Sequence, residues 1–341
     1  MTDPGALFEE GYRLYVEAEC PEDLERARSL LGQAASGGHA MAMDVLGNMY
    51  EDGDGAEEDV MTALQLYRRS AEQGCPAGMY DLGVLYLDGR GVDRDEERAF
   101  ALISKAVEAE SRPDHMYRLS VMYRTGEGTP ADDGKALELL RKAADLGSPE
   151  AKSSLGSLLL SGDGVEKDPE RAFVLFKEAA EDQDCRAMCN LGLMYEDGIH
   201  VEKDLDAAVS YYRQALDLGF APACYHLGLL VGQGLAPASL IDPSDVLGAG
   251  GRAGSPDDVG RLGELYYFGD GGEPDLEAAE HLFRAGVDLD VPSCMYNLGV
   301  MILRGEAASE YEGEEYDLIL AAADAGYAPA QELVESSEEE I

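Results

Sequence analysis

The chain has 341 residues, 45% of them apolar, with 69 Asp and Glu against 26 Lys and Arg, for a formal net charge of −43. So negative a chain argues against nucleic acid and anionic membranes as partners, because both would repel it. No apolar run approaches the ~18 residues of a membrane-spanning helix. The start, Met1-Thr-Asp-Pro-Gly5, has neither the basic nor the apolar stretch of a secretory signal. The six Cys (20, 75, 185, 189, 224, 294) form no repeating pair. Reduced thiols and a cytoplasmic location are therefore expected.

In chain order, a first helix is expected near Ala6 to Val16 and a second through Asp23, Ala27, Leu31 and Ala35, closed by Gly38. From there a Leu-Gly pair recurs at Leu46, Leu82, Leu155, Leu191, Leu227, Leu262 and Leu298, with Leu119-Ser120 filling the one gap. The steps are 36, 37, 36, 36, 36, 35 and 36 residues. Such a period is the mark of a repeat array. Counting the Leu as zero, a Gly stands at +7 in all eight of these repeats, from Gly53 to Gly305. It reads as the end of a first helix, where a left-handed backbone is needed. An Asp at +13 (Asp59, Asp95, Asp132, Asp168, Asp204, Asp275) reads as the cap that starts a second helix. A small Ala follows at +17, and a further Gly closes the second helix at Gly74, Gly147, Gly219 and Gly326. The Gly after Leu and the Ala at +17 are both small, so the two helices are expected to cross closely there. Each unit is then a helical hairpin that buries its apolar face only by stacking on its neighbours.

The first hairpin keeps Gly11 but has Glu10 in the Leu slot, as suits an N-terminal cap facing water. Residues 2–234 therefore read as repeats with an N-terminal cap. Residues 235–255, with Gly248, Gly250, Gly251 and Gly254, read as a degenerate second helix, because Gly costs a helix about 1 kcal/mol per residue. That segment is a hinge candidate. Residues 256–326 resume the repeats and end in a worn cap, and 327–341 form an acidic tail in which an incomplete further helix frays.

Several constellations invite chemistry and are better explained by the repeat. The Asp/Gly loops, such as Glu51-Asp-Gly-Asp-Gly55, lack the alternating carboxylates and final Glu of a calcium loop. Gly248-Ala-Gly250-Gly-Arg-Ala253 matches a loose dinucleotide pattern with no strand before it. Cys185 and Cys189 lie one turn apart, but no Cys-x-x-Cys or ligand-spaced His accompanies them. No catalytic residue, metal ligand or cofactor is assigned.

The string Leu191-Gly-Leu-Met-Tyr195-Glu-Asp-Gly198, then Val201-Glu-Lys-Asp204, Ala208, Tyr212 and Ala215, closely resembles the Sel-1-like repeat, a relative of the tetratricopeptide repeat. Leu82 to Val92 matches as well. His200 departs from the second loop Gly, and Ser120 from the Gly after Leu. The resemblance covers over nine-tenths of the chain. It implies an all-α fold, a right-handed α-solenoid superhelix of about nine helix-turn-helix repeats of ~36 residues. It also implies a concave face lined by first helices and a role as protein-interaction scaffold or adaptor. Alternatives are a dedicated regulatory subunit of an enzyme and, less in keeping with the chain, a β-lactamase-like hydrolase. Members of that last kind carry a disulfide in every repeat, which this chain lacks.

If the tetratricopeptide geometry carries over, first-helix positions −5, −2, −1, +2, +5 and +6 face the groove. Position −2 supplies Tyr80, Tyr117, Tyr225 and Tyr296; position −1 supplies Arg118, Asn190, His226, Arg261 and Asn297; Arg186 lies at −5 and Arg124 at +5. In so acidic a chain the four Arg would make a local basic strip. Arg and Tyr are also the types enriched in binding hot spots. The expected partner is a protein or peptide segment carrying acidic groups. A bland alternative has Arg118 neutralised by Asp81 or Glu150.

Overall fold

The computed structural model describes residues 3–220, 222–223, 226–227, 230, 235, 256–269 and 274–338. Among them are seventeen helices and no strand. Tyr225, Cys224, the Gly-rich loop motif at 248–253 and all of 235–255 except Leu235 lie outside the described residues.

The chain divides into two compact units, Met1–Leu155 and Gly156–Ile341. In the first, α1 (Pro4–Val16) pairs with α2 (Pro21–Ser36), α3 (Ala40–Asp52) with α4 (Val60–Glu72), α5 (Pro76–Asp88) with α6 (Glu96–Ala109), and α7 (Pro113–Thr125) with α8 (Asp133–Asp145). Helix α9 (Pro149–Ser161) carries the boundary. The second unit continues with α10 (Pro169–Glu181) and the hairpin α11 (Cys185–Asp197) with α12 (Leu205–Asp217). Two more hairpins follow, α13 (Pro256–Phe268) with α14 (Leu276–Asp288) and α15 (Pro292–Leu303) with α16 (Glu314–Asp324), and then α17 (Ala328–Glu338).

The local marks do what the sequence suggests. At all six +13 positions the Asp carboxylate accepts from the backbone N–H three residues on, at 2.9–3.0 Å in Asp95 to Arg98, Asp168 to Arg171 and Asp204 to Ala207. The N–H of the same Asp donates back to the first helix, as from Asp204 to the Tyr195 carbonyl at 3.0 Å. One residue thus both starts the second helix and ties the loop to the first.

The close crossing occurs at the expected small positions, with the +17 backbone reaching the Gly as Ala99 does Gly83, and it involves a large residue as well. The Gly after Leu faces the residue at +21, not only the Ala at +17. A Cβ on Gly47 would lie 2.5 Å from the Tyr67 ring, on Gly192 2.5 Å from Tyr212, on Gly263 2.5 Å from Phe283 and on Gly156 2.7 Å from Phe176. All four rings are at most 1% exposed. Burying a side chain of this size contributes roughly 1.5–3 kcal/mol, and only an absent side chain leaves room for it. In two further repeats the +21 residue is aliphatic, and a Cβ on Gly83 or Gly299 would lie 2.8 Å from Ile103 or Ile319. Ser120 replaces the Gly in the repeat that has Leu140 at +21, and its Oγ donates to the Tyr117 carbonyl at 2.6 Å.

The ends are adapted caps. Gly11 is buried against Leu31, whereas Glu10 in the Leu slot is exposed. At the other end Arg284 of α14 bonds Glu280 at 3.0 Å, Glu310 at 3.3 Å and the buried Glu314 at 3.1 Å, fastening the loop before α16.

His200 occupies the second loop position, where Gly55, Gly91, Gly128 and Gly164 all have φ of 67–69°. Its own φ is 65°, a left-handed conformation that strains any residue with a Cβ, and its side chain is exposed. His200→Gly should therefore stabilise the protein by about 0.5–1 kcal/mol, read from urea unfolding. An unchanged or lowered midpoint would show that the His200 ring, 5.7 Å from Phe173, compensates the strain.

Candidate protein-binding face

In Met1–Leu155 the residues at positions −2 and −1 of successive first helices, with His115 at −4, touch one another in turn. Because each hairpin repeats the last with a period of 36 or 37 residues, equivalent side chains come forward from every first helix. Asp44 of α3 and Asp81 of α5 have their carboxyl groups within hydrogen-bond reach of each other. Tyr80 of α5 stacks on His115 of α7, centroids 3.9 Å apart and planes 11° apart. Ser154 of α9 donates to the Tyr117 hydroxyl of α7 at 3.2 Å. The row therefore runs unbroken across four first helices, with Tyr80, Asp81, Tyr117, Arg118 and Ser154 all partly exposed.

Its charges are arranged rather than scattered. Arg112, which precedes α7, forks onto Asp114 at 2.9 and 3.3 Å. Asp114 in turn lies 3.8 Å from His115 Nε2. Arg118 meets Glu127 at 3.3 Å, a partner from its own repeat's loop rather than Asp81 or Glu150, and Glu127 is shared with Arg94 at 3.4 Å. Arg124 is exposed in the last turn of α7, with no ion pair or hydrogen bond among the described residues.

Burial drives the titration behaviour. His115 is 2% exposed, and desolvation, with the Arg112 charge, pulls it down to about 4 against the pull of Asp114, so it is neutral near pH 7. Burial and the charges of Asp114 and Asp81 push Tyr80 up to about 12. Asp44 and Asp81 are both pushed well above the usual carboxylate range. Burial is the first cause for each, and for Asp81 the Asp44 charge, the shared hydrogen bond and Glu51 add to it while Arg112 opposes. Two carboxyls this close hold one proton between them.

In Gly156–Ile341 the expected residues take several environments. Asn190 donates to Ser157 at 3.4 Å, and Arg186 lies 3.6 Å from Asp184. His226 stacks on Tyr212, centroids 5.1 Å apart. Asn297, 9% exposed, donates to Glu264 at 3.0 Å, and Tyr296 packs its ring 5.5 Å from Tyr327. Exposed Arg261 joins Glu264 and Tyr327 around a pocket of about 370 Å³ with Pro292, Ser293 and Gly326. Cys189 is buried in the core and its thiol is pushed up to about 12 by that burial. Among the described residues no group of three or more His, Cys, Asp or Glu is placed to hold a metal ion, and no helix is long and apolar enough to cross a membrane.

Sequence reasoning brought out Tyr80, Tyr117 and Arg118 but missed Asp44, Arg112 and His115. Asp44 carried a visible signal, since it stands at −2 where four other repeats have Tyr.

The Sel1 repeat family model matches residues 6–39, 40–75, 76–111, 113–148, 149–184, 185–220, 221–243, 260–291 and 292–316. One similar solved structure is a protective antigen of uropathogenic Escherichia coli strains displaying an SLR fold, with TM-score 0.59, 27% identity, and coverage of 96% of this chain and 70% of that one. Another is a Sel1 repeat protein from Oxalobacter formigenes, with TM-score 0.54, 26% identity, and coverage of 83% and 99%. No curated protein matches the chain.

The shared proton makes stability depend on pH. A carboxyl whose folded pKa is raised lends stability that is full below its unfolded value of about 3.9 and is lost as pH rises through the folded value. Asp81→Asn keeps a donor for Asp44 and removes this loss. It should be more stable than wild type by about 1–2 kcal/mol at pH 8, with the gap closing toward pH 4.5, by urea unfolding at both pH values. An equal difference at the two pH values would mean that the pair does not share a proton.

Proposed function

The chain belongs to the Sel1 repeat family, and on that ground we propose that it is a protein-interaction scaffold or adaptor. The observation that carries this reading is the chain of contacts across four consecutive first helices of Met1–Leu155, from buried Asp44 through half-buried Tyr80, Asp81, Tyr117 and Arg118 to Ser154. Half-buried Tyr and Arg offer a partner large contact area with little ordering cost, which is why these types dominate binding hot spots. A partner segment lying along the row crosses Tyr80, Tyr117 and Arg118, and its acidic groups meet Arg124, which is exposed and makes no ion pair among the described residues. Arg118 is reached by exchange with Glu127, a partly exposed pair that is easily reopened. Arg186, Asn190, Arg261, Tyr296 and Asn297 supply the corresponding contacts in Gly156–Ile341, and Tyr225 and His226 belong to the same register. The five described cysteines are free thiols, in keeping with a reducing cytoplasm.

The test is affinity capture from the native lysate, wild type beside Arg118→Glu/Arg124→Glu, with melting curves to show that both are folded. A partner held in fixed ratio by wild type should fall at least tenfold in the variant, the ~1.4 kcal/mol or more expected for a hot-spot charge. The same partners in the same ratios on both would remove the face from consideration.

A further inference from the structure

A Tyr stands at position +4 in five repeats, and only Tyr86 has an Arg both at +22 of the repeat before, Arg68, and at +16 of its own repeat, Arg98. The corresponding residues are Gly32 and Thr62 for Tyr50, Ser104 and Lys135 for Tyr123, Lys177 and Ala207 for Tyr195, and Ala249 and Ala278 for Tyr266. Hairpin formation does not require two Arg there, since the other four Tyr do without them. In the structure both Arg reach Tyr86, which is 4% exposed. The Arg98 guanidinium lies over its ring, 4.8 Å from the centroid, and Arg68 Nη2 donates to its hydroxyl at 3.5 Å. Both Arg are exposed, and neither makes an ion pair among the described residues. The one cation at Tyr123 is placed differently. Lys135 lies over that ring at 5.0 Å but pairs with the capping Asp132 at 3.5 Å. Arg98 meets its own capping residue, Asp95, through the backbone N–H, at 2.9 Å.

Arg68 and Arg98 line a cleft of about 1130 Å³, together with Tyr86, the α5–α6 loop, the first turn of α6 and the α7–α8 loop from Gly126 to Pro130. Its acidic wall divides in two. Glu96 is held by Arg94 at 2.7 Å, and Asp95 caps α6. Asp93 and Glu97 are exposed and make no ion pair among the described residues. The cleft therefore offers two cations and two anions that the chain leaves unpaired. Like charges drawn onto one ring repel each other, and a carboxylate set between them removes that repulsion. The guanidinium fork matches the two oxygens of a carboxylate. A dianionic phosphate or an acidic run would also meet Asp93 and Glu97, which repel it.

We propose that Arg68 and Arg98 form the binding site for one carboxylate side chain of a partner protein, and that Asp93 and Glu97 receive basic residues flanking it. The occupant is a segment in which a single Glu or Asp stands between Lys or Arg residues. Tyr86 is the platform that gathers the two guanidiniums. Arg98 keeps its stacking on the ring while its N–H groups turn to the carboxylate. Arg68 exchanges a long bond to an uncharged hydroxyl for a charge-assisted one. None of these residues belongs to the first-helix row, so the cleft is a second place for a partner on the same unit. That the occupant is a protein segment rests on the scaffold reading; the preference for a carboxylate between cations does not.

The experiment uses the full chain with ¹⁵N-labelled arginine side chains near neutral pH. It is titrated with acetyl-Gly-Lys-Glu-Lys-Gly-amide, the analogue with Gln in place of Glu, and acetyl-Gly-Glu-Glu-Glu-Gly-amide. Arg68→Gln and Arg98→Gln assign the two Nε–H resonances. The expected result is a saturable shift of both resonances by the Lys-Glu-Lys peptide in the millimolar range, none by the Gln analogue, and binding of the triglutamate peptide at least about tenfold weaker. In Arg98→Gln, folded by its melting curve, the Arg68 shift should need at least about tenfold more peptide. No saturable shift in the millimolar range, equal shifts from the Gln analogue, triglutamate binding as tight as Lys-Glu-Lys, or an unchanged Arg68 titration in Arg98→Gln would each overturn the proposal. The Arg118→Glu/Arg124→Glu capture result does not depend on this outcome, so the two readings fail separately.

Discussion

A bulky side chain seated on a glycine, a ring in four of the hairpins and an Ile in two, is the contact on which the rest of this structure depends. Gly47, Gly156, Gly192 and Gly263 each leave a space that Tyr67, Phe176, Tyr212 or Phe283 fills to complete burial. The contact fixes how near the two helices of a hairpin approach and where along their lengths they cross. With the crossing fixed at the same two positions in each repeat, the first helices present the same register again and again. The row from Asp44 to Ser154 follows from that regularity: it is a by-product of packing before it is a binding surface.

The sequence makes the array legible because its strongest signals are local. Asp204 bonds the N–H of Ala207 three residues on, and Gly198 takes a left-handed backbone by itself, so each mark can be read without knowing the fold. The crossing was harder. Ala208 and Tyr212 share a face of α12, and the size argument pointed to the small residue when the deciding one was the large ring opposite Gly192. The glycine is not tied to a ring, since Gly83 and Gly299 face Ile103 and Ile319 at the same position.

The candidate face was legible in outline and not in detail. The register placed Tyr80, Tyr117 and Arg118 in one row, because register is a periodic property. It did not reveal that Tyr80 stacks on His115 or that Arg118 turns to Glu127, since those choices depend on rotamers and on loops between repeats. The Asp44–Asp81 pair needs two residues 37 apart to meet across a helix boundary, which a pattern read one repeat at a time does not show. Composition misled in one respect: a chain of net charge −43 suggests acidity spread evenly over the outside, yet the Asp44 carboxyl is buried, at 3% exposure.

The most direct measurement of the central contact is a double-mutant cycle in urea on Gly192→Ser, Tyr212→Leu and the pair of changes together, copying the Ser120–Leu140 arrangement into the sixth repeat. Gly192→Ser alone should cost about 1–3 kcal/mol by overpacking against the ring. The account predicts a coupling of at least ~1 kcal/mol, with the double variant more stable than the sum of the two single losses. Additive losses would contradict it, and would mean that the glycine and the ring act independently in setting the hairpin.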